Sequence, residues 1–483
     1  MLENPIKKQL IGGVFYTAIS KYAGIIVSLV ISAILARLIS PEDFGVVAIA
    51  TVLITFFSIF SDLGIGPAIV QNQNLKREDY SNIFSFTVYI GLTISLLFFC
   101  CSWLLGAYYK EEILIYICQI LSINIFFASI NIVPNALLLK EKKFKFIAYR
   151  TLIFQLVGGL ISVFAAFMGA GIYALLINPI LTSIGIFFVN FYVKPQSLVL
   201  KINCSSLKLI STFSVYQFLF NFINYFSRNL DKLVIGRYIG MSPLGYYDKS
   251  YRLMMLPLQN ITHVITPVMH PVFAGFQNDL KQLSSHYLKI VRFLSFISFP
   301  LSILLFFTSK ELILLVFGDQ WIGSIPVFKI LSLSVGIQII LSTSGSIFQA
   351  ANTTKALFVS GLFSAIVNVL GLIIAILAFR SINAVAWALV ITFTFNFFQC
   401  YWMMYCQVFK ERFVIFFKHL VSPLIVTIIM AIVLYIVSDL TEDLYLILSL
   451  IIKSVIFVVI LASYIQLRKE YDLLGLVKNK MKK

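Results

Sequence analysis

The sequence predicts an all-α polytopic membrane protein with about 14 transmembrane helices. Of its 483 residues, 60% are hydrophobic and only 12% are charged, a balance that excludes a soluble globular protein of this length. Apolar runs of about 18 residues or more recur along the whole chain, and runs of that length are typical of membrane-spanning helices. No segment alternates apolar and polar residues in the pattern of a membrane β-barrel.

The predicted spans follow one another with short connections, the longest of which cover roughly 194–208 and 309–325. The run that begins at Ile11 is interpreted as a retained first span, because the residues around it offer no signal-peptide cleavage site. The apolar runs place the spans at roughly 11–37, 45–70, 80–106, 113–139, 147–168, 173–193, 209–239, 245–273, 285–308, 326–350, 356–379, 385–409, 415–437 and 445–466.

The basic residues of the connections lie mostly on one predicted side of the membrane. The other side carries only Lys110, Lys310 and Arg380. Because basic connections are retained in the cytoplasm, both termini are predicted to be cytoplasmic, which an even number of spans also requires. The net charge of +17 is explained by this topology, so it does not predict a nucleic-acid partner. The basic tail that starts at Arg468 is interpreted as a stop signal at an anionic membrane face.

Two pairs of motifs recur at the same offset along the chain. The stretch around Arg37 (ARLISP) resembles the stretch around Arg237 (GRYIGMSP), and a Lys-Glu pair occurs at both 110–111 and 310–311. Both copies start on the cytoplasmic side, which predicts parallel repeats related by an axis along the membrane normal. The predicted organisation is therefore one six-helix lobe at 1–205, a second at 206–410, and helices 13 and 14 with the basic cytoplasmic tail at 411–483.

Charged side chains recur inside the first two predicted spans of each lobe. A charge at membrane depth costs at least about 2.5 kcal/mol on insertion scales, so these side chains predict a wet interior cavity. The basic ones outnumber the acidic ones, which favours an anionic ligand, and arginine suits phosphate in particular. The basic residues are Lys21, Arg37, Arg228, Lys232, Arg237, Lys249 and Arg252, and the acidic residues are Asp62, Asp231 and Asp248.

An alternative interpretation is that these charges form only internal ion pairs. The helical rise places Asp231 at the depth of Arg252, and Asp248 near the level of Arg237, so each acid could meet a base across a hairpin of spans 7 and 8. Tyr247 lies beside these charges, and its ring and hydroxyl suit contact with a sugar. Tyr247 and the seven basic residues are therefore the predicted substrate site, with structural ion pairing as the alternative.

The three acidic residues are the candidates for coupling transport to a proton or sodium gradient. Asp62 is favoured over Asp231 and Asp248, because it has no basic residue within one turn of its own helix. It also precedes a glycine- and proline-rich cluster at 64–67, which is predicted to break the second span and to free backbone groups. Capping of that break is the alternative role for Asp62. A comparable interruption or kink of span 8 is predicted from Pro257, Pro267 and Pro271.

No motif of a nucleotide-hydrolysing or other catalytic site is present. The chain has no Walker A, nucleophile-elbow, HExxH or kinase pattern, and its outward connections are too short for a catalytic domain. The six cysteines show no CxxC spacing, so neither a disulfide framework nor a zinc site is indicated. His263 and His270 are interpreted as buried, hydrogen-bonded side chains rather than metal ligands. The sequence thus predicts a protein that is not an enzyme and has no cofactor and no metal.

Three motifs together resemble the polysaccharide exporters of the MOP superfamily, and among them the Wzx/WzxC-like flippases. They are ARLISPEDFG at 36–45, SDLGIGPAIVQ at 61–71 and NLDKLVIGRYIGMSPLGYYDKSYRLM at 229–254. The resemblance implies a fourteen-helix, two-lobed, V-shaped fold in the bacterial cytoplasmic (inner) membrane. It also implies flipping of undecaprenyl-diphosphate-linked oligosaccharides for lipopolysaccharide O-antigen, capsule or exopolysaccharide synthesis. Membrane lipids, a polysaccharide polymerase and glycosyltransferases are the implied partners.

Other functions stay open at this point. Teichuronic-acid-type exporters share these motifs. A cation-coupled multidrug exporter of the same broad fold (MATE-like) should prefer acidic cavity residues, and this chain has the opposite balance. A membrane glycosyltransferase or polymerase would need catalytic residues on a sizeable outward loop.

Overall fold

A computed structural model describes residues 3–468 and residue 470. Every regular element in that part of the chain is helical, which confirms the all-α class. The basic tail beyond Arg468, apart from residue 470, lies outside the described residues. The side chains of residues 1–19 and those of His263, Pro267, His270 and Pro271 also lie outside them.

The chain forms two compact units, Met1–Gly245 and Tyr246–Lys483. The helices of the first unit are α1 (Glu3–Leu38), α2 (Pro41–Asp62), α3 (Ile65–Gln71), α4 (Arg77–Tyr109), α5 (Glu112–Ile130), α6 (Ile132–Lys140), α7 (Phe144–Phe167), α8 (Ala174–Val193), α9 (Cys204–Tyr238) and the start of α10 (Met241–Ala274). The unit boundary groups α9 with the helices that precede it. The lobes predicted at 1–205 and 206–410 stay a prediction.

The second unit contains the rest of α10 and nine further helices. These are α11 (Leu280–Phe307), α12 (Ser309–Phe317), α13 (Ser324–Ser332), α14 (Val335–Leu341), α15 (Ser344–Ala350), α16 (Thr354–Phe379), α17 (Ile382–Trp402), α18 (Val414–Leu440) and α19 (Leu446–Leu467). A π-helical segment, Met403–Phe409, extends α17.

Eleven helical segments among the described residues are long and apolar enough to cross a membrane. The number rises to twelve if the bent pair Ser324–Ser332 and Val335–Ala350, which meet at 45°, forms one span. The long helices α9 and α10, predicted as spans 7 and 8, are not among the eleven. A multi-pass membrane protein is therefore established, and the count of about 14 spans stays a prediction.

The predicted break in the second span is confirmed. Helix α2 begins at Pro41, where the side chain of Ser40 accepts a hydrogen bond from the backbone N–H of Asp43 at 3.1 Å. It ends at Asp62, because Leu63 (φ 44°) and Gly64 (φ 71°) adopt left-handed conformations. The chain then re-enters a helix at Ile65. Glycine tolerates such a conformation without the steric cost that other residues carry.

Span 8 is not interrupted, and the alternative outcome predicted for its prolines, a kink, stays a prediction. Helix α10 is continuous from Met241 to Ala274 and passes through Pro257 without interruption. A proline removes one backbone hydrogen bond, but a long membrane helix can satisfy the freed carbonyl by local adjustment. An unpredicted interruption lies in the fourth span, where Asn131 separates α5 from α6.

Helix α12 lies in the segment 309–325 that the sequence predicts to be a connection. Its nine residues are too short to register as a membrane span, but Ser309, Ile313 and Phe317 recur at the four-residue spacing of one buried helix face. Ser309, Glu311, Ile313 and Phe317 are buried. The helix packs against α13 and α19, so it belongs to the core of the second unit.

Candidate substrate and ion-coupling site

Helix α9 carries three of the predicted basic residues and is held inside the first unit by α2 and α4. The hydroxyl of Tyr225 donates to the backbone oxygen of Val52 at 3.3 Å, and that of Tyr109 donates to the backbone oxygen of Leu233 at 3.4 Å. Phe56 of α2 lies against the ring of Tyr225, with centroids 5.3 Å apart. These aromatic contacts fix the orientation of α9, and therefore which of its faces carries the charges.

The predicted bases of the first unit differ in exposure. Lys21 and Arg37 on α1 and Arg228 on α9 have exposed side chains, whereas Lys232 is partly buried. Arg237 is also partly buried, and its guanidinium lies 4.8 Å from the ring centroid of Tyr108 in a cation–π contact. Lys21, Arg37 and Arg228 are thus the most exposed of this unit's predicted bases, and their assignment to a substrate site stays a prediction.

The two repeat motifs meet in a reciprocal close contact at the starts of α2 and α10. A Cβ added to Gly45 would lie 1.9 Å from the backbone oxygen of Met241, and a Cβ added to Gly245 would lie 1.9 Å from the backbone oxygen of Pro41. Gly45 is the fourth residue after Pro41, and Gly245 is the fourth residue after Met241. Each motif therefore supplies one glycine and one backbone oxygen to the contact. The helices approach this closely only because both positions are glycine.

Asp62 is the last residue of α2, and its carboxylate lies near the backbone N–H groups of Gly64 and Gly66, at the break between α2 and α3. Leu63 and Gly64 occupy the cap positions of the two helices. The capping and the ion-coupling roles of Asp62 both stay predictions. Asp231 on α9 is buried, with 7% of its surface exposed.

In the second unit, Asp248 and Arg252 form an ion pair along one helix. The Asp248 Oδ2 to Arg252 Nε distance is 2.6 Å, and the residues are one turn apart on α10. Asp248 therefore has a base on its own helix, because an i,i+4 pair needs no second helix. The expectation that it can also meet a base across the hairpin stays a prediction. The Arg252 side chain remains 59% exposed.

Lys249 and Tyr247 lie inside the second unit. The Lys249 Nζ is 5.3 Å from the ring centroid of Phe317 and 5.7 Å from that of Trp321, so two aromatic faces stabilise its charge. Only 4% of Lys249 and none of Tyr247 is exposed. Their assignment to a substrate site stays a prediction, and Arg252 is the exposed base of this unit's predicted set.

Sequence reasoning missed two buried charges. Arg150 on α7 donates to the side-chain oxygens of Asn190 and Asn135, and Asn190 donates to Asn131 at 2.7 Å. Lys453 on α19 forms a buried ion pair with Glu311 on α12. Both lie within predicted spans, and a single charge in an apolar run is a signal that could have identified them.

A metal centre is not assembled by the described residues, among which no three His, Cys, Asp or Glu side chains come together. The comparisons with known proteins instead indicate a transporter family. Residues 34–326 match the family model described as "Polysaccharide biosynthesis protein".

The chain belongs to this family. Its relatives include the teichuronic acid biosynthesis protein TuaB of Bacillus subtilis (strain 168), which is 25% identical over 86% of each chain. The lipopolysaccharide biosynthesis protein WzxC of Escherichia coli (strain K12) is 26% identical over 71% of this chain and 70% of its own.

Among solved structures, the lipid II flippase MurJ in an inward closed conformation matches this family member with a TM-score of 0.71. The match covers 94% of this chain and 98% of MurJ at 17% identity, so it shows a common fold. The family match and the relatives confirm the resemblance to polysaccharide exporters of the Wzx/WzxC type, and the solved structure confirms the fold that this resemblance implies.

Proposed function

We propose that this protein is a flippase that moves undecaprenyl-diphosphate-linked oligosaccharide repeat units across the bacterial cytoplasmic membrane for surface polysaccharide synthesis. The observation that carries the proposal is the family match over residues 34–326. That range contains every predicted basic site residue except Lys21. The protein acts as a transporter without a catalytic step, and both of its termini face the cytoplasm.

The exposed bases supply the chemistry that such a substrate needs. A diphosphate presents several anionic oxygens, and arginine guanidinium groups donate paired hydrogen bonds to them. Arg37 and Arg228 in the first unit and Arg252 in the second are exposed on helices of membrane length. The polyprenyl chain needs no polar partner and remains in the lipid.

The direct test is deletion of the gene followed by mass analysis of the lipid-linked saccharides in the cells. We expect undecaprenyl-diphosphate-linked repeat units to accumulate, because glycosyltransferases continue to supply them and the polymerase no longer receives them. Restoration of the gene should clear the pool. An unchanged pool together with normal surface polysaccharide would refute the proposal.

The similarity to TuaB over most of both chains supports a second cargo, the lipid-linked precursor of a teichuronic-acid-type polymer. The same experiment separates the two cargoes, because the accumulated glycan is identified by its mass.

A MATE-like multidrug exporter is less well supported. The buried Asp248 is paired with Arg252, which makes it a poor partner for a cationic drug.

Coupling to a proton or sodium gradient is the proposed energy source, with Asp62 as the coupling residue and helix capping as the alternative. Flipping in proteoliposomes with imposed gradients compares the wild type with Asp62→Asn. A wild-type flux that rises with one gradient and an Asp62→Asn flux that does not would support coupling. Equal responses of the two proteins would leave capping as the role of Asp62.

A further inference from the structure

The first unit contains an open cavity, lined by both apolar surface and amide and hydroxyl groups, that the predicted substrate site does not include. Its volume is about 480 Å³, within the range of roughly 300–1,000 Å³ that is usual for small-molecule sites. Helices α5, α7 and α8 line it, together with the residue that separates α5 from α6. The polar lining residues are Asn131, Thr151, Gln155, Asn178, Thr182 and Ser183.

The chemistry of this lining indicates a hydroxylated, uncharged ligand. Amide and hydroxyl groups on membrane helices are costly if they face lipid, so they require water or a polar ligand. Among the side chains that the structure describes, no Lys, Arg, Asp or Glu lines the cavity, which makes this lining a poor site for a diphosphate or a cation. Amides and hydroxyls offer both donors and acceptors, and this combination matches the hydroxyl groups of a sugar ring.

The walls of the cavity are held in place by hydrogen bonds to other parts of the unit. Gln155 Nε2 donates to the backbone oxygen of Gly24 at 2.9 Å, and Thr182 Oγ1 donates to Asn178 Oδ1 at 3.1 Å. Asn131 Oδ1 accepts from Asn190, which the buried Arg150 fixes in turn. A site whose side chains are already oriented loses less conformational entropy when a ligand binds.

Two donor groups remain available in this arrangement. Within the described part of the chain, the side-chain nitrogens of Asn131 and Asn178 donate no hydrogen bond, and both residues line the cavity. Gly158 makes room for Asn178, because a Cβ at position 158 would lie 2.6 Å from Asn178 Oδ1. The Asn178 amide can therefore occupy its position in the cavity wall only because residue 158 has no side chain.

We propose that this cavity is a subsite for one or two sugar rings of the transported glycan. The inference rests on the proposed function, and it separates recognition of the glycan from recognition of the diphosphate. The uncharged cavity contacts the sugar, while the exposed bases contact the phosphates. The amide donors of Asn131 and Asn178 and the hydroxyl groups of Thr151, Thr182 and Ser183 provide the contacts.

Native mass spectrometry of the full-length protein in nanodiscs tests this proposal. The probes are the lipid-linked saccharide pool extracted from the deletion strain and bare undecaprenyl diphosphate. We expect Asn178→Leu/Thr182→Val to bind the saccharide-bearing lipid about tenfold more weakly, as expected for the loss of one or two hydrogen bonds. Binding of bare undecaprenyl diphosphate should not change. Thr93→Val is the matched control, because Thr93 is exposed and its hydroxyl donates a hydrogen bond to the backbone oxygen of Tyr89 in the same helix, α4.

A second variant tests the same cavity in case Asn178→Leu/Thr182→Val fails to fold. Gly158→Ala leaves every polar group in place but displaces the Asn178 amide, and it should also weaken binding of the saccharide-bearing lipid selectively. If both variants retain the wild-type preference for that lipid over the bare one, the cavity is not a sugar subsite and the proposed function is unaffected. If the wild type binds neither lipid, the proposed function fails, and this inference fails with it.

Discussion

At the scale of single residues, the predicted site is a mixture of accessible and enclosed charges. Arg37 and Arg228 are exposed, whereas Arg237 is packed on Tyr108 and Lys249 is enclosed by Phe317 and Trp321. A cation on an aromatic face keeps its charge but has already lost part of its hydration. We therefore expect the exposed bases to make the first contact with an anionic lipid.

The first prediction concerns the two arginines at equivalent positions of the repeat motifs. Arg37→Ala combined with Arg237→Ala should reduce flipping in proteoliposomes at least about tenfold if both guanidinium groups donate charge-assisted hydrogen bonds to the diphosphate, which for Arg237 requires that it leave the ring of Tyr108. Arg237→Lys should retain partial activity, since lysine keeps the charge but loses the fork geometry.

Arg380→Ala is the control for this pair, because Arg380 is exposed in the connection between α16 and α17. Full activity of the double variant would exclude a diphosphate site at these arginines. The membrane content of each variant, measured by immunoblot, separates a loss of function from a loss of protein.

The charges inside the spans could be predicted from the sequence, but their partners could not. An isolated Arg or Asp in an apolar run can be recognised from the amino-acid sequence alone. Whether it pairs along its helix, as Asp248 does with Arg252, or is covered by aromatic rings from a distant helix, as Lys249 is, depends on tertiary packing. Lys249 is covered by Phe317 of α12, a helix that the sequence does not predict.

At the scale of helices, the reciprocal glycine contact determines how closely α2 and the start of α10 approach. Gly45→Ala and Gly245→Ala should each lower the melting temperature in detergent, since overpacking of this kind costs about 1–3 kcal/mol. The atom that a new Cβ would meet is a backbone oxygen, which cannot rotate away as a flexible side chain can.

Gly361→Ala in α16 is the matched control, because a Cβ there meets no atom within 4 Å. Alanine at an open helical position should be neutral or stabilising by about 0.5–1 kcal/mol. Wild-type melting temperatures for both Gly45→Ala and Gly245→Ala would show that the contact has no energetic importance.

The buried ion pair between α12 and α19 yields a further prediction. Glu311 accepts hydrogen bonds from Ser449 at 2.6 Å and from Lys453, which also donates to the backbone oxygen of Phe307 at 3.1 Å. Lys453→Met alone should destabilise the protein by about 3–5 kcal/mol, because it leaves a buried carboxylate without its cation.

Lys453→Met combined with Glu311→Gln should recover most of that loss, since the double variant contains no uncompensated charge. Thermal unfolding of the wild type, both single variants and the double variant gives the coupling energy between the two side chains. Strictly additive effects would show that the pair does not act as a unit.

At the scale of the whole molecule, the all-α class and the first break could be predicted, because long apolar runs and glycine clusters are local features. Helix α12 and the polar network around Arg150 could not. Helix α12 is too short to give a recognisable apolar run in the sequence. The network around Arg150 joins α6, α7 and α8, which only the tertiary fold brings together.

Topology is the prediction that belongs to this scale. In a variant without native cysteines, Ala170→Cys and Ser381→Cys should react with a membrane-impermeant maleimide in intact cells, whereas Lys143→Cys should react only after lysis. Position 479 is also predicted to be cytoplasmic, and it lies outside the described residues. Labelling of position 143 from outside would reverse the assigned orientation.

The Glu311–Lys453 pair also bears on how the protein is made. Lys453 follows its partner by 142 residues, so at about 5–20 residues per second the ribosome needs roughly 7–28 s to deliver it. Until Lys453 is delivered, Glu311 lacks the cation with which it pairs in the folded protein. The burial of the Glu311 carboxylate as an ion pair is therefore completed only when α19 packs against α12.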